Sequence, residues 1–290
     1  MTFETNQKTI SRRDLLRNAA LGAAGVAMLS IDAFAQDKNP YTPFRMGIQS
    51  YTLRGYKLDE ALAKTKDLGL KYWEAWDGHM PITDDPKVIA EYKAKLQANG
   101  ITLPAYGVVG FSNNEADARR KFEFGKAMGI RTFSAGPSAD SFNLLDKLTE
   151  EYKINIAIHN HGPGDDLFDK WEKVVAATEG HSPRIGACLD TGHTLRSDQR
   201  PEVAAGKLGK RVLGCHLKDV RVDGNKKEFT ILGQGSLDPN IMLRKLIEIG
   251  FPNRGLLALE YEENEKDPIA DVEACLKRTR EILAFLNRNK

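Results

Sequence analysis

The feature that most constrains this chain is a cadence. From Phe44 onward, short apolar runs alternate with amphipathic stretches. The runs read as strands at Arg45–Tyr51, Lys71–Trp76, Thr102–Val109, Arg131–Ala135, Asn155–His161, Ile185–Asp190, Val212–Lys218 and Leu256–Glu262. Helical spacing covers Leu58–Leu68, Pro86–Ala98, Glu115–Met128, Ser141–Tyr152, Leu167–Thr178, Pro201–Leu208, Pro239–Ile249 and Ile269–Asn287. Gly69, Gly100, Gly129 and Gly250 end four of these helices, where glycine best takes the left-handed C-terminal position. Eight such pairs in about 250 residues predict one α/β domain, a closed (β/α)8 TIM barrel. An open doubly wound sheet fits less well, because no G-x-G-x-x-G follows the first strand. Arg221–Gln234, with Asp223-Gly224-Asn225 inside it, predicts a hairpin inserted after the seventh strand.

Residues 1–35 follow a different logic. Ser11-Arg12-Arg13 precedes an apolar Ala/Gly-rich run from Ala19 to Ile31, and Ala33-Phe34-Ala35 supplies a small-x-small cleavage signature. The run is shorter than the roughly 20 apolar residues of a transmembrane span. The paired arginines resemble a twin-arginine export signal. The expectation is a cleaved signal over 1–35, a mature barrel over 36–290, and a periplasmic or otherwise exported protein without stable membrane insertion. Lys plus Arg (42) nearly balance Asp plus Glu (40), a formal charge of +2, which gives no electrostatic footprint for nucleic acid. The expected partner is a small molecule, and the oligomeric state is left open. Cys188, Cys215 and Cys275 lack C-x-x-C spacing and predict neither a disulfide framework nor a zinc knuckle.

Barrel active sites are built at the C-terminal ends of strands, and polar residues collect there. Strand alternation puts His159 and His161 on one face with Ala157, Asp190 with Cys188, His216 with Gly214 and Lys218, and Glu260 with Ala258 and Glu262. Small residues beneath polar ones suit a crowded lumen, and the same parity turns Cys215 outward while Cys188 faces in. His159, Asp190, His216 and Glu260 then converge from four strands. A mixed nitrogen and oxygen set without thiolate suits one divalent ion such as Mn²⁺, Co²⁺, Fe²⁺, Zn²⁺ or Mg²⁺. Strand two adds Glu74, Trp76 and His79, with Trp76 toward the lumen and Trp73 away from it.

Gly47-Ile48-Gln49-Ser50-Tyr51, Tyr72-Trp73-Glu74, His159-Asn160-His161, Asp190-Thr191-Gly192-His193, His216-Leu217-Lys218-Asp219 and Glu260-Tyr261-Glu262 occur in that order. In this order the chain resembles the xylose-isomerase-like TIM-barrel family, which includes sugar isomerases and ketose 3-epimerases. The resemblance spans essentially the whole mature chain. It implies that Asp190, His216 and Glu260 are metal ligands. Where the epimerases carry a first metal-binding Glu, this chain has His159. Epimerases use two metal-bound glutamates on opposite faces of the substrate, one to remove a proton and one to return it. With His159 in one place, the chain resembles instead a subset acting on 3-keto sugars and their glycosides by 1,2-elimination.

Both activities begin by removing a proton from carbon next to a carbonyl, with the ion as Lewis acid. Glu260 is the first choice of base and His161 the alternative. Lys218 is placed to stabilise developing negative charge or to protonate a leaving group. Glu74, His79, His193 and Arg196 are expected to bind substrate. The competing readings are a plain ketose/aldose isomerase or 3-epimerase, and a non-catalytic exported sugar-binding protein.

Overall fold

The computed structural model describes residues 39–288. The signal segment expected over 1–35 lies outside the described residues. In chain order the elements are β1 (Met46–Gln49), α1 (Leu58–Asp67), β2 (Tyr72–Ala75), α2 (Pro86–Ala98), β3 (Thr102–Phe111), α3 (Glu115–Met128) and β4 (Thr132–Pro137). Then follow α4 (Phe142–Tyr152), β5 (Asn155–His159), α5 (Trp171–Thr178), β6 (Ile185–Asp190), α6 (Thr191–Arg196), α7 (Pro201–Leu208) and β7 (Val212–Leu217). The hairpin β8 (Asp219–Asp223) and β9 (Lys226–Thr230), α8 (Pro239–Glu248), β10 (Leu257–Leu259) and α9 (Ile269–Arg288) complete the described residues.

Strands β1 to β7 pair in sequence order, and β10 joins β7 to β1, closing an eight-stranded parallel barrel. The period of two along each strand sorts its side chains. Ile48, Trp73, Phe133, Ile156, Leu189, Cys215, Leu217 and Leu259 belong to the main apolar core, packed with helix residues such as Phe122, Leu145 and Leu283. Gln49, Glu74, Ser134, Ala157, Cys188, His216 and Ala258 alternate with them and are buried as well. All three cysteines are free; Cys215 packs in the main core while Cys188 clusters with Ala157 and Leu213. Crowding fixes Gly186 on β6, where a Cβ would lie 2.1 Å from the carbonyl oxygen of Arg211.

Several strands end earlier than the apolar pattern suggests, and local hydrogen bonds explain why. The Gln49 side chain accepts from Tyr51 N (2.9 Å) and turns the chain into a 3-10 turn over Ser50–Leu53. β5 stops at His159; Gly162, with φ of +78°, bends the chain away, and Asn160 bonds the Asp190 backbone through both its amide nitrogen (3.1 Å) and its oxygen (2.9 Å). β10 gives way at Glu260, and Thr52 Oγ1 accepts from Tyr261 N at 3.0 Å. Helix α5 begins at Trp171 rather than Leu167, because Asp165 accepts from Leu167 N and Phe168 N in an Asx turn. Helix α6 has no counterpart in the sequence reading. Its N-cap is Asp190, whose Oδ1 accepts from His193 N at 2.6 Å.

The hairpin predicted after strand seven is β8–β9, paired from Asp219↔Thr230 to Asp223↔Lys226. Asp219 anchors it by accepting from Gly233 N (2.8 Å), Gly235 N (2.9 Å) and Leu237 N (2.9 Å). Among the described residues, no helix is long and apolar enough to cross a membrane.

Candidate active site

Four strand ends bring four donor groups together. His159 ends β5, Asp190 ends β6, His216 lies near the end of β7, and Glu260 follows β10. One ligand atom from each lies within 4.8 Å of all the others, and all four residues are buried. His159 Nε2 is 3.1 Å from His216 Nδ1 and 3.4 Å from Asp190 Oδ2. His216 Nδ1 is 3.0 Å from Glu260 Oε2 and 3.7 Å from Asp190 Oδ2.

Neighbouring groups fix each donor. The two oxygens of Asp190 divide the work, since Oδ1 caps α6 while Oδ2 faces the cluster. His216 Nε2 lies 3.0 Å from Glu74 Oε1, and this contact turns Nδ1 toward the cluster. Gln49 Nε2 donates to the same Glu74 oxygen (3.2 Å) and to the carbonyl of Gly107 (2.9 Å). Thr191 Oγ1 accepts from Lys218 N (2.8 Å) and donates to Lys218 O (2.6 Å), which pins the end of β7.

The electrostatics are those of a buried anionic nest. Burial alone would push the Asp190 and Glu260 carboxyls up, but Lys218 and the neighbouring imidazoles hold both well below the usual carboxylate range. Burial lowers His159, and pushes His193 down to about 3 against the pull of Asp190, so both rings are neutral at physiological pH. Asp190 Oδ2 and Glu260 Oε2 nevertheless accept no well-aligned hydrogen bond. Lys218 Nζ is near both, but its aligned hydrogen bond goes to Glu262. Two orphaned anionic oxygens facing two imidazole nitrogens form a donor set that fits a divalent cation.

Above the cluster opens a cavity of about 360 Å³ at the C-terminal mouth of the barrel. His159, His161, His193, Arg196 and Glu260, all expected from the sequence, line it together with Gln49, Tyr51, Trp76 and Glu262. Trp76 and Tyr51 meet edge to face with ring centres 5.2 Å apart, which presents aromatic surface to the cavity. Arg196 Nη1 donates to His193 Nδ1 at 3.0 Å.

Two residues expected to touch substrate sit elsewhere. Glu74 is beneath His216 and lines a different cavity, of about 350 Å³, among the N-terminal ends of the strands. His79 is buried between Trp73 and Trp76, bonded through Nε2 to the carbonyl of Tyr56 at 3.1 Å, and is not in the mouth cavity's wall. The structure also adds residues that the sequence reading passed over. Glu262 and Gln49 carried a signal, their inward parity with Glu260 and Gly47. Asn160 and Phe229 carried none, because side-chain pairing across strands and the fold-over of the hairpin are tertiary facts. The Phe229 ring lies 5.6 Å from that of His193 and is capped by Lys218 and Arg196.

Known proteins agree with this architecture. The inosose dehydratase of Clostridium tetani is 28% identical over 148 residues, 45% of this chain and 49% of the relative. The chain thus spans about half the length of that curated relative. A crystal structure of an uncharacterised protein from Parabacteroides distasonis is 27% identical, covers 81% of this chain and 97% of its own, and superposes with a TM-score of 0.62. An L-ribulose 3-epimerase structure, 17% identical with a TM-score of 0.64 over 84% of this chain and 96% of its own, shares the fold. A family model described as xylose isomerase-like TIM barrel matches residues 62–282, and the chain belongs to that family.

Proposed function

We propose that this protein is a divalent-metal-dependent enzyme that removes a proton next to a sugar carbonyl, and that it eliminates the C1 substituent of a 3-keto-glycoside. The observation that carries this reading is the buried His159–Asp190–His216–Glu260 cluster at the floor of the mouth cavity, with an imidazole in place of a second glutamate. A relative named as a dehydratase, by its name an elimination enzyme, supports the same direction.

An ion held by these four residues supplies Lewis-acid polarisation of the substrate ketone. The remaining chemistry belongs to the chain. Glu260 lines the cavity as a carboxylate kept ionised by Lys218 and His216, and it takes the C2 proton; His161 on the cavity wall is the alternative base. The C2–H electron pair becomes the C1=C2 double bond as the C1–O bond breaks. The aglycone oxygen leaves with that bond's electrons and takes up a proton, a role for the Lys218 ammonium beside Glu260. Trp76 and Tyr51 provide faces for the sugar ring, and His193 and Arg196 provide polar contacts to its hydroxyls.

Incubating metal-loaded protein with 3-keto-glucosides and, separately, with free ketoses tests the assignment. Product NMR is expected to show aglycone release from the former and little change in the latter. Efficient inversion of the ketose without aglycone release would return the chain to ordinary epimerisation.

Glu74 gives a quantitative check on the site. Glu74→Gln replaces the carboxylate that orients His216 with a neutral amide and is expected to weaken divalent-ion affinity by about 10- to 100-fold, read by calorimetric titration. Unchanged affinity would remove Glu74 from the ion's support. We further propose export by the twin-arginine route, with a mature N-terminus near Gln36. Arg12→Lys combined with Arg13→Lys is expected to keep the precursor in the cytoplasm, and unchanged export of that variant would overturn the route.

A further inference from the structure

Lys218 is a cation already seated against the donor cluster. Its Nζ lies 3.1 Å from Asp190 Oδ2 and 2.8 Å from Glu260 Oε2, the two oxygens that accept no aligned hydrogen bond. The side chain is 1% exposed, and Phe229 on β9 covers its remaining side with the ring centre 4.8 Å from Nζ. The aligned hydrogen bond of the ammonium runs instead to Glu262, which is partly exposed and lines the mouth cavity.

We propose that Lys218 is the built-in counter-cation of the ion site: it offsets the charge of Asp190 and Glu260 in the metal-free protein, competes with the divalent ion for those two oxygens, and is left with Glu262, the partner of its aligned hydrogen bond, when the ion binds. The inference rests on the metal-centre reading above. Three considerations give it one sign. Buried carboxylates without a cation are costly, so the ammonium stabilises the metal-free state. Two cations at the same pair of oxygens repel strongly where water is excluded, so the ammonium also destabilises the loaded state. Glu262 already accepts the ammonium's aligned hydrogen bond and still compensates its charge when the ion is bound, which limits that penalty. The consequence is that a loaded site leaves the ammonium on Glu262 alone, at the wall of the cavity where a leaving group needs a proton, whereas a metal-free site shares it with Asp190 and Glu260.

The test uses the mature protein, stripped with a chelator and titrated calorimetrically with Mn²⁺ alone. Lys218→Met is expected to bind Mn²⁺ at least about tenfold more tightly than wild type, because the competitor is gone. Glu262→Gln is expected to bind it about tenfold more weakly, because the ammonium is thrown back on Asp190 and Glu260. Stripped Lys218→Met is also expected to melt below stripped wild type, with the gap closing when Mn²⁺ is added. Unchanged or weaker binding by folded Lys218→Met would overturn the proposal. If that variant does not fold, tighter or unchanged binding by Glu262→Gln overturns it. A wild-type protein that takes up no Mn²⁺ would instead overturn the metal-centre reading itself, and the role of Lys218 with it.

Discussion

Asp190→Ala and His216→Ala proteins are expected to retain less than about a tenth of the divalent ion held by wild type, because each loses one of only four buried donors. Elemental analysis after dialysis measures this directly. Asp190 needs a companion variant, since its Oδ1 also caps α6 by accepting from His193 N at 2.6 Å. Loss of that cap alone costs about 1 kcal/mol and complicates the alanine result. Asp190→Asn keeps the cap's shape while removing the charge, so it is expected to fold normally by circular dichroism and still lose the ion. His216→Ala has a second effect, leaving Glu74 buried with only Gln49 as a side-chain donor. A lower melting temperature is therefore expected in that variant even without metal. Full ion occupancy in all three proteins would remove this cluster from consideration.

His159→Glu is the second large effect expected. A neutral imidazole beside Asp190 leaves a bound ion with about one more unit of positive charge than a site with a further glutamate. Stronger polarisation of a ketone favours loss of the neighbouring proton, and the four-donor set holds no second glutamate to return it. Glutamate at position 159 restores that carboxylate. The ratio of aglycone release to stereochemical inversion is expected to fall by at least about tenfold, with ion binding kept. The substitution also buries a new negative charge near Asp190, whose Oδ2 is 3.4 Å from His159 Nε2 in the wild type. The variant is therefore best purified with the ion present. An unchanged product ratio, measured by NMR on a 3-keto-glucoside and a free ketose, would sever position 159 from reaction choice.

The barrel was legible in the sequence because its physics is local. Period-two strands ended by glycine-stopped helices repeat through the chain, and the same alternation identified which face of each strand carries His159, Asp190, His216 and Glu260. Parity also separated Cys188 from Cys215 correctly. It could not tell depth along the lumen. Glu74 shares the inward face with Trp76, yet it lies two residues closer to the strand's start and ends beneath His216 rather than in the mouth. His79 has its position set by the loop after β2, where no periodicity applies, and it packs behind Trp76. The apolar pattern overruns the strand ends at Tyr51, His161 and Glu262, because side-chain hydrogen bonds from Gln49, Asn160 and Thr52 capture the backbone sooner than the pattern fades. Phe229 lies on the inserted hairpin, and only the three-dimensional fold brings it against Lys218.

The most direct test of the central claim is to titrate stripped wild-type protein with a divalent ion while following aglycone release from a 3-keto-glucoside. Release is predicted to be negligible in the stripped protein, to rise with bound ion, and to saturate at one ion per chain. Release at full rate from protein shown by elemental analysis to hold no ion would contradict a metal-assisted elimination at this cluster.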